Sequence, residues 1–213
     1  MALNEYADVL IKRRPVLESC LSQIEDAYKL ILDTAQNGGT LFTCGNGGSN
    51  ADSYHIVGEL LKSFNKKRPL DPDFSQKLES IDPNESTKLE QLEGGIKAMA
   101  LGAQTAFSTA FANDVDPDLV FGQELAALGQ EKDLLLCLST SGNSSNVKYA
   151  AMVARARGMR SILLTGERNG NISQYVDVVV NVPETETYRI QELHIGVYHC
   201  WCLALEDALF KEA

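Results

Sequence analysis

LFTCGNGGSNADSYHIVGE, residues 41–59, decides how this chain is read. A short apolar run, 41–44, stops at Gly45-Asn46-Gly47-Gly48-Ser49 and passes into a helix-like segment carrying His55 and Glu59. A strand that ends in a Gly-rich turn and opens a helix suits a phosphate. Glycines let the backbone come close, and the first N–H groups of the helix point at the anion. His55 and Glu59 are four residues apart and share one helix face just beyond that turn. A phosphate cradle beside a metal or acid–base pair points to an enzyme acting on a phosphorylated small molecule.

Outward from this stretch, strand and helix patterns alternate. Before it, residues 1–37 read as N-terminal helices. Val16, Leu17, Cys20, Leu21, Ile24, Ala27, Tyr28, Ile31 and Leu32 recur at helical spacing after Pro15, and Asn37-Gly38-Gly39 closes the segment. After it, residues 63–95 hold Pro69, Pro72 and Pro83, many charges and few large apolar side chains. They read as an insertion or flexible loop with a short helix near 88–92. Strands are expected over 96–101, 133–139, 161–165 and 177–181. Helices are expected over 105–111, 119–128, 146–157 and 186–210. This alternation predicts an α/β fold, a doubly wound parallel five-stranded sheet flanked by helices, as one domain over 1–213. Such sheets bind ligands beyond the carboxyl ends of their strands.

With 213 residues the chain can bury a substantial core. Its formal net charge of -10 makes a poor binder of nucleic acid or anionic membranes. The one basic cluster, Lys66-Lys67-Arg68, reads as a solvated loop. The first residues, MALNEYADVL, are mixed polar and do not resemble a secretory leader. No apolar run approaches membrane-spanning length. Cys20, Cys44, Cys137, Cys200 and Cys202 sit in apolar segments and read as buried free thiols of a cytoplasmic protein.

A second polar loop, Ser139-Thr140-Ser141-Gly142-Asn143-Ser144, also follows a strand and precedes a helix. Its hydroxyls can donate to phosphate oxygens, and the helix start adds N–H donors and a favourable dipole. It has no Lys, so it is no Walker loop. A Ser-rich cap and turn would look the same. The last helix carries Arg189-Ile-Gln191-Glu192-Leu-His194 and, further on, His199. Gln191 and His199 lie within roughly 80° of each other on one face, with His194 outside that arc. His55, Glu59, Gln191 and His199 are all competent ligands for a divalent ion. Local spacing leaves packing and metal binding both open.

Together, GNGGS with A-D-x-x-H-x-x-x-E, S-T-S-G-N-S and R-I-Q-E-x-H-I-x-x-x-H resemble the sugar isomerase (SIS) domain, and within it the phosphoheptose isomerases. The resemblance covers nearly the whole chain and implies a flavodoxin-like fold. It also implies interconversion of sedoheptulose 7-phosphate and D-glycero-D-manno-heptose 7-phosphate through an enediol. It assigns substrate binding to Asn46, Gly47, Gly48, Ser49, Asn113, Asp114, Ser139, Thr140, Ser141, Ser144 and Gln191. It assigns a divalent metal, zinc in most members, to His55, Glu59, Gln191 and His199, and acid–base work to Glu59 and His199. It implies a homotetramer with sites between subunits and a sugar phosphate as the small-molecule partner. Two departures stand out. Tyr188 occupies a position that is often acidic, and the 63–95 segment is longer than usual. Two other functions suit the fold: a non-catalytic regulator that binds a sugar phosphate or a replication initiator, and an isomerase of a different sugar phosphate.

Overall fold

A computed structural model describes residues 2–210; Met1 and residues 211–213 of the 1–213 reading lie outside them. The strands are β1 (Leu41–Cys44), β2 (Ala98–Ala100), β3 (Leu134–Leu138), β4 (Arg160–Thr165) and β5 (Val178–Asn181). They form one parallel sheet in the order β2-β1-β3-β4-β5. The central strands β1 and β3 are buried throughout and apolar but for Thr43, because both faces are covered. Leu134, Leu136 and Leu138 enter one core, whereas Leu135 and Cys137 enter the other. The alternation of period two places helices on both faces.

The first core is covered by α1 (Ala2–Arg13), α2 (Leu21–Gln36), α3 (Gly48–Leu61) and α9 (Thr187–Leu209). The second is covered by α7 (Val120–Leu128) and α8 (Ser145–Ala156). The chain leaves β1 to build one side of the sheet, then crosses back to β3. The topological switch therefore lies between β1 and β3, and both polar loops leave the sheet there. Residues after Pro15 wind first as a 3-10 turn, Pro15–Cys20, before α2 begins, because Arg14 is held out of the helical region. The five cysteines are free and buried.

Two features depart from expectation. The 63–95 segment holds two helices, α4 (Pro72–Ile81) and the short α5 (Ser86–Leu89). Asp71 caps α4 by accepting from Phe74 N at 3.0 Å, and Pro72 pre-sets its first turn. The second departure is Arg68, whose side chain is fully buried rather than solvated. Its Nε donates to Glu206 at 2.7 Å, and its other nitrogens donate to Leu60 O at 2.8 Å and Glu59 O at 2.9 Å. The Glu206 carboxylate also accepts from the backbone N–H groups of Phe64, Asn65 and Lys66. Arg68 thus caps the last carbonyls of α3 and ties the root of the insertion to α9. A charge run counts side chains and cannot tell which of them finds a buried carboxylate. α6 (Thr105–Asp114) precedes α7 and packs Phe107 and Phe111 against the second core.

Candidate functional site

α3 and α9 run side by side in the same direction away from the sheet edge. Their starts meet where Gly48 faces Gln191. A Cβ at Gly48 would lie 2.5 Å from Gln191 Nε2, so glycine is what lets the amide lie there. Two turns further on, Tyr198 and His199 of α9 meet His55 of α3. His199 Nε2 is 3.4 Å from His55 Nε2, and His55 Nε2 is 3.2 Å from Glu59 Oε1. Glu59 Oε2 also pairs with Lys62 Nζ at 3.3 Å. The Phe64 ring, from the root of the insertion, packs on His199 with centroids 5.3 Å apart.

His55 is held from behind. Its Nδ1 is 3.0 Å from Tyr198 OH, and that hydroxyl donates to Asp52 Oδ1 at 3.0 Å. Burial raises the Tyr198 phenol above its usual range, and the Asp52 charge adds to this. Burial also raises Asp52, with the Tyr198 hydrogen bond and the His55 charge pulling partly back. His199 is lowered, first by burial and then by His55, with Glu59 opposing.

Among the described residues, no group of three or more His, Cys, Asp and Glu side chains is placed to hold a metal ion as it stands. His55 Nε2 nevertheless stands at ligand-to-ligand distance from Glu59 Oε1 and from His199 Nε2. Ligands about 2.0–2.1 Å from a tetrahedral ion stand about 3.3 Å from each other, and the two separations here are 3.2 and 3.4 Å. Gln191 stands apart. Eight residues of helix separate it from His199, a rise of about 12 Å. Among the described residues no hydrogen bond joins it to His55, Glu59 or His199.

The serine loop is a compact turn. Ser139 Oγ and Ser144 Oγ are 3.1 Å apart, Gly142 N donates to Ser139 O at 3.0 Å, and Asn143 N donates to Ser141 Oγ at 3.2 Å. Gly142 has φ +65°, in the left-handed region, and the backbone of Asn169 fills the space a side chain would need. Thr140 and Ser141 line a cavity of about 580 Å³ together with Arg168 and Ile190, the neighbour of Gln191. Glu167 and Glu184 also line it. Arg168, on the loop after β4, supplies a cation that the serine loop lacks. Nothing in its local sequence marks it, because only the return of β4 to the switch point brings it there.

The glycine loop is tied to the serine loop. Asn46 and Asn146 exchange two amide hydrogen bonds, at 2.8 and 2.9 Å, joining the turn after β1 to the start of α8. Asn46 and Gly47 face a neighbouring groove of about 290 Å³, and Ser49 is buried. Asn113 and Asp114 stand on the exposed end of α6, bonded to each other at 2.9 Å. Tyr188 is exposed, and its hydroxyl accepts from Arg189 Nε at 3.0 Å. The residue types in the sequence therefore come together as two groups: the loops at the sheet edge with Gln191, and the His55–Glu59–His199 cluster about two turns away. Asp52 and Tyr198 had no assigned role in the sequence. Asp52 precedes His55 by three residues, a helical neighbour spacing that marks it as a partner.

His194 is fully buried between α9 and the sheet, and among the described residues neither ring nitrogen has a hydrogen-bond partner. Burial lowers its pKa from 6.5 to about 4, and the backbone of Thr165, short of hydrogen-bond geometry, offsets only part of this. The unfolded chain takes up this proton first as pH falls. Stability is therefore complete above pH 6.5 and is lost between pH 6.5 and 4. The loss approaches about 1.4 kcal/mol per pH unit. Urea unfolding at pH 7, 6 and 5 is expected to follow that slope, and His194→Leu to flatten it. Equal slopes in the two proteins would refute this origin.

The chain is similar to known proteins in sequence and fold. The SIS domain family model matches residues 5–106 and 95–166. A phosphoheptose isomerase of Thiobacillus denitrificans is 37% identical over 190 residues, covering 88% of this chain and 84% of the relative. One from Laribacter hongkongensis is 35% identical over 209 residues, covering 97% and 94%. The phosphoheptose isomerase GmhA of Neisseria gonorrhoeae superposes with a TM-score of 0.73 at 33% identity, over 94% of each chain. That of Francisella tularensis gives 0.75 at 28% identity, over 96% of each. On this likeness in sequence, fold and extent, the chain belongs to the phosphoheptose isomerase family of SIS-domain proteins.

Proposed function

We propose that this chain interconverts sedoheptulose 7-phosphate and D-glycero-D-manno-heptose 7-phosphate. The observation that carries the proposal is the convergence of His55, Glu59 and His199 from two distant segments, beside loops built for an anion. The serine loop, the start of α8 and Arg168 would hold the phosphate, and Asn46, Gly47, Gly48, Ser49 and Gln191 the sugar beside it. Asn113 and Asp114 would contact sugar from the α6 end. Glu59 removes the proton on the carbon beside the carbonyl, and His199 gives a proton to the carbonyl oxygen, so that a cis-enediol forms. Glu59 then gives its proton to the former carbonyl carbon while His199 takes the proton of the other enediol hydroxyl, whose oxygen becomes the new carbonyl. His199 is neutral near pH 7, and its remaining N–H is the one it donates.

In this reading His55, Glu59 and His199 would hold a divalent ion, zinc by family resemblance; Gln191, the fourth ligand that the resemblance implies, stands about two helical turns from them. The ion would polarise the sugar oxygens. Val9, Val16, Tyr54 and Leu61 are exposed apolar side chains on or beside the helices of this site. They suit the tetramer with shared sites that the resemblance implies. The free buried thiols suit the reducing cytoplasm. Among the described residues, no helix is long and apolar enough to cross a membrane.

The test is a screen of ketose phosphates of five to seven carbons with the zinc-loaded protein, beside light scattering. Conversion of sedoheptulose 7-phosphate is expected to lead the screen. Failure to convert any ketose phosphate would refute the isomerase, and a fully active monomer would refute the shared site.

A further inference from the structure

The cluster behind His55 carries a consequence for the proton on its ring. A phenol has one proton, and Tyr198 gives it to Asp52 Oδ1. The Tyr198 oxygen can then only accept from His55 Nδ1, 3.0 Å away. The proton of a neutral His55 ring therefore sits on Nδ1, an assignment made from the hydrogen-bond network. Its Nε2 keeps a lone pair, which faces Glu59 Oε1 at 3.2 Å and His199 Nε2 at 3.4 Å. A lone pair and a carboxylate at that separation repel unless a cation stands between them. The edge-on contact of the His55 and Tyr198 rings, with centroids 5.5 Å apart, leaves the imidazole little freedom to turn.

We propose that Tyr198 and Asp52 are positioning residues that lock His55 with its proton on Nδ1 and its Nε2 lone pair turned toward Glu59 and His199, and so set the zinc affinity of the cluster. The zinc part rests on the function proposed above; the tautomer part does not. Ligating histidines in general bind metal best when the second ring nitrogen donates to an oriented acceptor, and loss of that acceptor weakens metal binding about 10- to 100-fold. Here the acceptor is a tyrosine, aimed in turn by a carboxylate on the same helix as the histidine. Three consecutive roles thus fall to residues 52, 55 and 198, only one of which is a candidate ligand.

Two measurements on the full-length protein test this. In the metal-free protein labelled with ¹⁵N-histidine, His55 is expected to show the Nδ1–H tautomer, and Tyr198→Phe to show a mixture. His55→Ala assigns the signal among the three histidines. In competition with a zinc chelator, Tyr198→Phe and Asp52→Asn are each expected to bind zinc about 10- to 100-fold more weakly than the parent. A merely structural role would lower the melting temperature but leave the tautomer unchanged. An Nε2–H tautomer in the parent protein, or an unchanged tautomer in Tyr198→Phe, overturns the inference. So does zinc affinity in Tyr198→Phe equal to the parent's. A parent protein that binds no zinc but keeps the tautomer refutes the metal reading of the site, and with it the affinity half of the proposal, while the locked ring stands.

Discussion

Glu59→Gln is expected to lower turnover about 10²- to 10⁴-fold, the usual contribution of a positioned general base. The change keeps the size of the side chain and removes its charge and its ability to take a proton. Glu59 is held on two sides, by His55 at Oε1 and by Lys62 at Oε2, so the amide still finds partners there. Substrate binding is expected to survive, because the phosphate loops lie about two helical turns away. KM should change little, and the loss should fall on kcat. His199→Ala is expected to act in the same sense, since the ring offers the second proton. It also removes a surface on which Phe64 packs, so some loss of stability accompanies it. A Glu59→Gln protein that turns over at the parent rate would remove the base from the mechanism.

The second large effect concerns Arg68. Arg68→Met is expected to destabilise the protein by about 3–5 kcal/mol, the cost of leaving one partner of a buried ion pair alone. The figure applies because Arg68 and Glu206 are 0% and 1% exposed. The lone Glu206 would keep its three backbone donors but lose the guanidinium that balances its charge. At roughly 2–4 °C per kcal/mol for a chain of this size, the melting temperature should fall by about 6–20 °C. Arg68→Lys should recover only part, because one ammonium cannot reach Glu206, Leu60 O and Glu59 O together. Arg68 also caps the carbonyl of Glu59 itself. Activity measured well below melting is therefore expected to fall too, as the end of α3 loosens. Thermal unfolding by circular dichroism decides this, and a fall of less than 2 °C would contradict the clamp.

Much of the fold was legible because its signals are local. The strand, turn and helix of residues 41–59 are marked by an apolar run, glycines and a helical spacing, and β1 and α3 follow them. The strands at 134–138, 160–165 and 178–181 are short buried runs bounded by polar turns. α4 departs from the loop expected there although Asp71-Pro72 and the helical spacing of Phe74, Leu78 and Ile81 mark it; those three apolar residues are sparse among charges and none is buried, so the stripe is weak. At the site, residue types were legible and distances were not. Helical phase puts Gln191 and His199 on one face and their spacing sets about 12 Å between them, but neither tells that His55 and Glu59 meet the His199 end. Arg68, Arg168 and Tyr198 owe their places to partners far away in sequence. Arg68 meets Glu206, Tyr198 meets Asp52, and Arg168 meets the serine loop. Such pairings arise only once the sheet has formed.

Deuterium exchange during turnover tests the central claim most directly. Sedoheptulose 7-phosphate is incubated with the zinc-loaded protein in heavy water and followed by proton NMR. A base at Glu59 predicts deuterium at the carbon beside the carbonyl in step with isomerisation, and Glu59→Gln should lose both together. Isomerisation with no deuterium uptake, or uptake that continues at the parent rate in Glu59→Gln, would contradict proton transfer by this cluster.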